Sequence, residues 1–165
     1  MTIEQMLLKQ FDHCYDKNGW FVALKNALEG VTAEQAAWKP EGADNSIWAS
    51  LNHLNYYNNA YLQRFKGIDY EYSITTNEQS FESTVGSTAE AWRAELDRLD
   101  SIMTEWREVL AAADETRLAE IVPKKPGTTW ADIVIDMNIH NAYHGGQILL
   151  LRKLQGAWNP EKGVS

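Results

Sequence analysis

Apolar residues recur at three- and four-residue steps along four stretches of this chain, the spacing that lines one face of a helix. The first stretch covers residues 2–29, with Ile3, Leu7, Phe11, Cys14, Phe21, Leu24 and Leu28 on the stripe and Gly30 as its stop. Thr32, followed by Gln35, forms a capping-box pattern for a short helix, and Lys39-Pro40-Glu41-Gly42 reads as a turn. A second long helix starts near Asn45 or Ser46 and runs to about Lys66. It turns Ile47, Leu51, Leu54, Tyr61 and Phe65 inward and ends at Gly67.

Residues 68–86 lose this periodicity and become polar, predicting a crossover connection with some extended structure around Tyr70-Glu71-Tyr72-Ser73-Ile74. Ser87 and Glu90 then form a capping box. Behind it Trp92, Leu96, Leu99, Met103, Trp106 and Leu110 alternate steps of four and three, the seam of a helical bundle. After a polar stretch, Lys124-Lys125-Pro126-Gly127 marks a loop. Thr128 or Thr129 caps a fourth helix that reaches Gln155 and stops at Gly156.

Four long helices, one long crossover between the second and third, and otherwise short loops predict an all-α four-helix bundle. No repeat, low-complexity tract or linker divides residues 1–165, so the expectation is a single domain.

Composition narrows the partners. Twenty-three acidic residues against 15 Lys and Arg give a formal net charge of −8, which repels both a phosphate backbone and an anionic membrane surface. No uninterrupted apolar run approaches the roughly 20 residues of a membrane-spanning helix. Cys14 is the lone cysteine, so no internal disulfide forms, and the N-terminal segment carries no secretory pattern. These features point to a cytoplasmic protein.

Candidate chemistry rests with the histidines, of which there are four. His140 and His144 stand one helical turn apart, on the inward stripe Ile133, Met137, His140, His144, Ile148, Leu151. Two buried imidazoles need partners, and a shared metal ion satisfies both. Hydrogen bonds to ordinary neighbours, or a wet flank, satisfy them too. His53, on the second helix beside Leu51 and Leu54 with Tyr57 on or near its face, is the natural third ligand or else a structural histidine. His13, between Asp12 and Asp16, reads as solvated, and Cys14 as core packing.

The run Ser46-Ile47-Trp48-Ala49-Ser50-Leu51-Asn52-His53-Leu54, together with His140-Asn141-Ala142-Tyr143-His144-Gly145-Gly146-Gln147-Ile148, resembles the DinB-like superfamily. Gly30-Val31-Thr32-Ala33-Glu34-Gln35-Ala36-Ala37-Trp38-Lys39-Pro40 is similar to that family's first interhelical segment, and the likeness extends to Trp158. The resemblance implies a four-helix bundle, commonly a homodimer, with one divalent metal on His53, His140 and His144. It also implies one of several chemistries: joining a low-molecular-weight thiol to an electrophile, a metal-dependent isomerisation, or hydrolysis. A non-catalytic, metal-stabilised stress-response dimer is the alternative.

Three neutral histidines leave the charge of a divalent ion uncompensated and one coordination position open, which lowers the pKa of a thiol or water placed there. Zinc or nickel fits this ligand set first, and histidine nitrogens accept iron and copper as well. A structural zinc site would be closed by a fourth protein ligand, usually cysteine, and Cys14 is the one cysteine on offer. Gly145 and Gly146 either leave room near the metal or allow close helix packing. Trp48 and Tyr57 are candidate pocket walls or core aromatics, and Gln147 either orients a ligand or lies on the surface.

Overall fold

The computed structural model describes residues 1–82 and 88–163. Among them there are seven α-helices and no strand; a single isolated bridge joins Ile121 to Thr129. Four of the helices are long: α1 (Ile3–Tyr15), α4 (Ile47–Phe65), α5 (Ala89–Ala112) and α7 (Trp130–Leu154). Three are short: α2 (Leu24–Leu28), α3 (Ala33–Ala37) and α6 (Glu115–Ala119).

Caps set most of these boundaries, because the first amides of a helix lack intrahelical partners. Thr2 with Gln5, Thr32 with Gln35 and Thr129 with Asp132 form reciprocal capping boxes. Ser46 caps α4 through Ala49 N–H, and Asp114 caps α6, a helix the polar stretch after Leu110 did not signal. Thr88 caps α5 through Ala91 N–H. The Ser87 of the expected capping box lies outside the described residues.

The expected continuous first helix is two helices. Asp16 and Lys17 both direct their N–H groups to Asp12 O, closing α1. Asn18 Oδ1 then accepts from Ala23 N–H at 3.0 Å and from Asn26 Nδ2 at 2.8 Å, which holds residues 18–23 in a turn. Such local side-chain bonds compete directly with helix hydrogen bonds. The chain reverses its inward face across this break: Val22 is buried, whereas Phe21, expected in the core, is exposed.

Each long helix packs on two of the others: α4 against α5 and α7, and α1 against α7 and α5. Their shared interior holds Phe11, Leu51, Leu54, Leu62, Met103, Trp106 and Val134, all fully buried. Polar side chains fix the pairings. Asn58 Nδ2 donates to Asn141 Oδ1 at 2.8 Å between α4 and α7, and Asn138 Nδ2 to Gln10 Oε1 at 3.0 Å between α7 and α1. Arg107 joins α5 to Asp12 of α1 and to Asp16, its C-cap, at 2.9 and 2.6 Å. Trp106 Nε1 donates to Asn58 O at 2.8 Å, so even the central indole is satisfied.

Between α4 and α5 no strand forms at 70–74. Arg64 holds this segment instead, donating to Tyr70 O at 3.0 Å and lying 4.2 Å from the Tyr72 ring centre. A 3-10 turn follows at Glu78–Phe81 and packs on α4. This turn completes the histidine site.

Candidate metal centre

His53 sits in the second turn of α4, and His140 and His144 face it from the middle of α7. One nitrogen from each ring, taken together, lies within 4.8 Å of the others. Two ligands each about 2.0–2.1 Å from one zinc are roughly 3–4 Å apart, so this spread is compatible with a single ion. His53 Nε2 and His140 Nε2 are 2.9 Å apart, and the centres of the three rings are 4.7 to 4.9 Å from one another.

Hydrogen bonding settles the tautomer of His53. Ser80 Oγ donates to Asn77 O at 2.5 Å, so its lone pairs face His53 Nδ1 at 2.6 Å. The ring proton therefore sits on Nδ1, and the Nε2 lone pair points to the cluster. Phe81 stacks on the same ring, 4.0 Å between centres and 11° from parallel, while Tyr57 meets it edge-on at 5.0 Å.

Burial favours the neutral imidazoles. It pushes His53 down to about 3, with the neighbouring His140 and His144 adding to the effect. His144 falls to about 4 through burial and its neighbour His140, and burial lowers His140 as well. At neutral pH all three rings are neutral imidazoles, each with one lone-pair nitrogen, which is the form that binds metal. His144 Nδ1 is buried without a hydrogen-bond partner, a costly state for a polar atom in a protein interior. A donor set of three neutral imidazoles, one with its tautomer fixed from outside and each offering a nitrogen within 4.8 Å of the others, fits a divalent cation.

The cluster opens into a cavity of about 530 Å³. His53, His140 and His144 form part of its wall, with Tyr57, Phe81, Ile133 and Met137 as apolar lining and Asn58, Tyr61, Asn77, Lys125 and Asp136 as polar lining. Lys125 Nζ stands 2.6 Å from Tyr61 Oη, and Tyr57 Oη donates to Asn77 Oδ1 at 3.0 Å.

The remaining sequence candidates lie elsewhere. Trp48 packs on Trp92 in the core, 5.2 Å between ring centres, away from the cavity lining. Gln147 is exposed outside the cavity. A Cβ on Gly145 would meet Leu24 of α2 at 3.8 Å and one on Gly146 would meet nothing, so neither glycine serves the histidines. Cys14 is buried on α1, its thiol pushed up to about 11 by burial, and His13 places Nδ1 3.1 Å from Lys17 O. Ser80, Asn77 and Phe81 carried no sequence signal. They come from a polar, aperiodic segment and matter through a tertiary contact alone.

The molecule is thus an all-helical protein, among its described residues, in which two long facing helices converge three histidines. The chain belongs to the DinB superfamily, which it matches over residues 22–148, a span containing all three histidines. Searches of curated proteins and of solved structures gave no match. Among the described residues, no helix is long and apolar enough to cross a membrane.

Proposed function

We propose that this chain is a cytoplasmic metal-dependent S-transferase that joins a low-molecular-weight thiol to an electrophile. His53, His140 and His144 would hold one divalent ion, zinc or nickel. The frame for this is a single-domain four-helix bundle of α1, α4, α5 and α7, in which the connection from α4 to α5 crosses over and delivers Ser80 and Phe81 to the site. One observation carries the reading: the triad opens onto a 530 Å³ cavity and, among the described residues, no fourth His, Cys, Asp or Glu joins the cluster to close it. That volume lies within the usual range for small-molecule sites, about 300–1,000 Å³.

When bound, the ion supplies the positive charge that lets a neighbouring thiol ionise at neutral pH. The chain does the rest. Ser80 holds His53 in the ligating tautomer, and Phe81 with Tyr57 screens that ring from water. Ile133 and Met137 offer apolar surface to the electrophile. In the overall transfer the thiol proton passes to bulk water, the sulfur forms a bond to carbon, and the leaving group departs with the electron pair.

The test is to load purified protein with zinc or nickel and assay it against a matrix of small thiols and alkyl halides or epoxides. Conjugates should form, and His140→Ala, which removes a ligand outright, should reduce their rate by more than the roughly 10–100-fold typical of losing only a partner of a metal-bound histidine. An intact ion with no conjugation in any combination would refute thiol transfer while leaving the metal site standing. Ester or amide hydrolysis in its place would assign the site to a hydrolase.

A further inference from the structure

Two neighbouring lysines in the loop that leads into α7 have different partners. Lys124 Nζ pairs with Asp69 at 3.0 Å and with Glu71, tying the loop to the segment between α4 and α5. Lys125 Nζ has no carboxylate within 4 Å among the described residues. It donates instead to Tyr61 Oη at 2.6 Å and lies 5.1 Å from the centre of that ring. The backbone enforces this split. Lys124 holds a φ of 64°, a left-handed conformation that long side chains rarely adopt. Val122 N–H to Thr128 O at 2.9 Å and Lys125 N–H to Val122 O at 3.0 Å fix the rest of the turn. Strain of this kind persists where the surroundings over-determine it, and it clusters at loops that clamp ligands.

Lys125 and Tyr61 both line the cavity into which the histidines open. Tyr61 follows His53 on α4 by just over two turns, about 12 Å along the axis. Phe65 at the end of α4 meets Trp130 at the start of α7, ring centres 5.0 Å apart, while His53 meets His140 and His144, so the two helices run antiparallel. Ile133 and Met137 therefore line the wall at levels running from Tyr61 back toward the histidines. The cavity has the triad at one end, an apolar wall, and a cation beside a phenol at the other.

We propose that Lys125 and Tyr61 form a subsite for a single carboxylate, and that the electrophile is an elongated carboxylic acid. Its reactive carbon lies at the histidine end and its apolar body on Ile133 and Met137. The donors match. An ammonium has three N–H groups, and Lys125 spends one on Tyr61. Because that phenol oxygen is the acceptor, its own O–H is free to donate. Two adjacent donor groups suit the two oxygens of a carboxylate, in hydrogen bonds strengthened by charge. Charge sets the limit at one negative group. Asp136 lines the same cavity without pairing with Lys125, so a phosphate dianion would bring a second charge that nothing in the lining answers. The net charge of −8 repels anions from most of the surface, and this subsite is where one is admitted. That the ligand is the electrophile rests on the transfer reading above; the subsite itself does not.

Calorimetric titration of the full chain, with and without zinc, by octanoate, octanamide and octyl phosphate tests the subsite. Octanoate should bind at least about 10-fold more tightly than either of the others, the scale of one hydrogen bond to a charged group. Lys125→Met, at an exposed position, should reduce octanoate to the level of octanamide, whereas Lys125→Arg should keep most of the difference. A carboxylate held by the ion instead would not respond to Lys125→Met. In the conjugation assay, ω-bromooctanoate should be preferred over its amide by a similar factor, through KM, and Lys125→Met should erase that preference. Octanoate binding no tighter than octanamide, octyl phosphate binding tighter than octanoate, or indifference to Lys125→Met would each overturn the proposal. Conjugation without preference for the acid would overturn the substrate assignment alone. Selective octanoate binding without any conjugation would overturn the transfer reading alone.

Discussion

Replacing Ser80 by alanine removes one oxygen from this protein and tests how the site is held. That oxygen accepts from His53 Nδ1 at 2.6 Å and donates to Asn77 O at 2.5 Å, and Ser80 itself is buried. In Ser80→Ala the Nδ1–H loses its acceptor where water has little access. The ring can then rotate or change tautomer, turning the Nε2 lone pair away from His140 and His144. Partners of metal-bound histidines typically contribute 10–100-fold to metal affinity, which is about 1.4–2.7 kcal/mol. The unsatisfied buried donor itself costs about 1–3 kcal/mol of stability. Competition titration against a chromogenic chelator gives the affinity directly, and nitrogen-15 shifts of the His53 ring report the tautomer. Ser80→Thr, which keeps the hydroxyl, should recover most of the affinity. If Ser80→Ala binds zinc as tightly as wild type with an unchanged ring spectrum, the hydroxyl does not orient His53 and the derivation of its tautomer is wrong.

Other consequences follow from the same geometry. A metal that binds the folded chain alone raises stability by about 2.7 kcal/mol at a hundred times its dissociation constant, a shift of about 5–10 °C for a domain of this size. Differential scanning calorimetry before and after chelation should show that drop in wild type and none in His140→Ala. The metal-free protein should weaken in mild acid. His53, His140 and His144 have folded values pushed below the ordinary 6.5, so the unfolded chain takes up protons first. Their contribution is whole above about pH 6.5 and is lost as the pH falls toward the folded values near 3 and 4. Between pH 6.5 and 5.5 the loss is about 1 kcal/mol for each of His53 and His144, whose folded values lie well below that interval. A urea midpoint that stays flat over that interval would contradict the burial of these rings. In the core, Trp106→Ala removes a fully buried indole that packs on Phe65 and donates to Asn58 O, and should cost about 3–5 kcal/mol in urea unfolding.

Much of this was legible in the sequence because local and tertiary signals agree in α4, α5 and α7. The alternating stripe of α5 and the caps Ser46 and Thr129 mark these helices within a residue or two. The spacing of His140 and His144 on an inward stripe foretold that both would meet a helix opposite. The break between α1 and α2 was hidden because Leu24 and Leu28 keep the helical period across it, while the bonds that interrupt the helix come from Asn18, a single polar side chain. Tyr61 was expected inward and is only partly buried, because the cavity stands where its packing partner would be. The second apolar side of α7 blurred its stripe, and only burial separates the face turned to the core from the one left bare.

Three imidazoles from α4 and α7 are proposed to grip one ion. Plasma emission analysis of protein dialysed against zinc or nickel, with wild type beside the His53→Ala/His140→Ala/His144→Ala variant, measures this directly. Close to one equivalent of metal per wild-type chain is expected, with a background level in the variant. Equal metal in both, or none in the wild type, would contradict it.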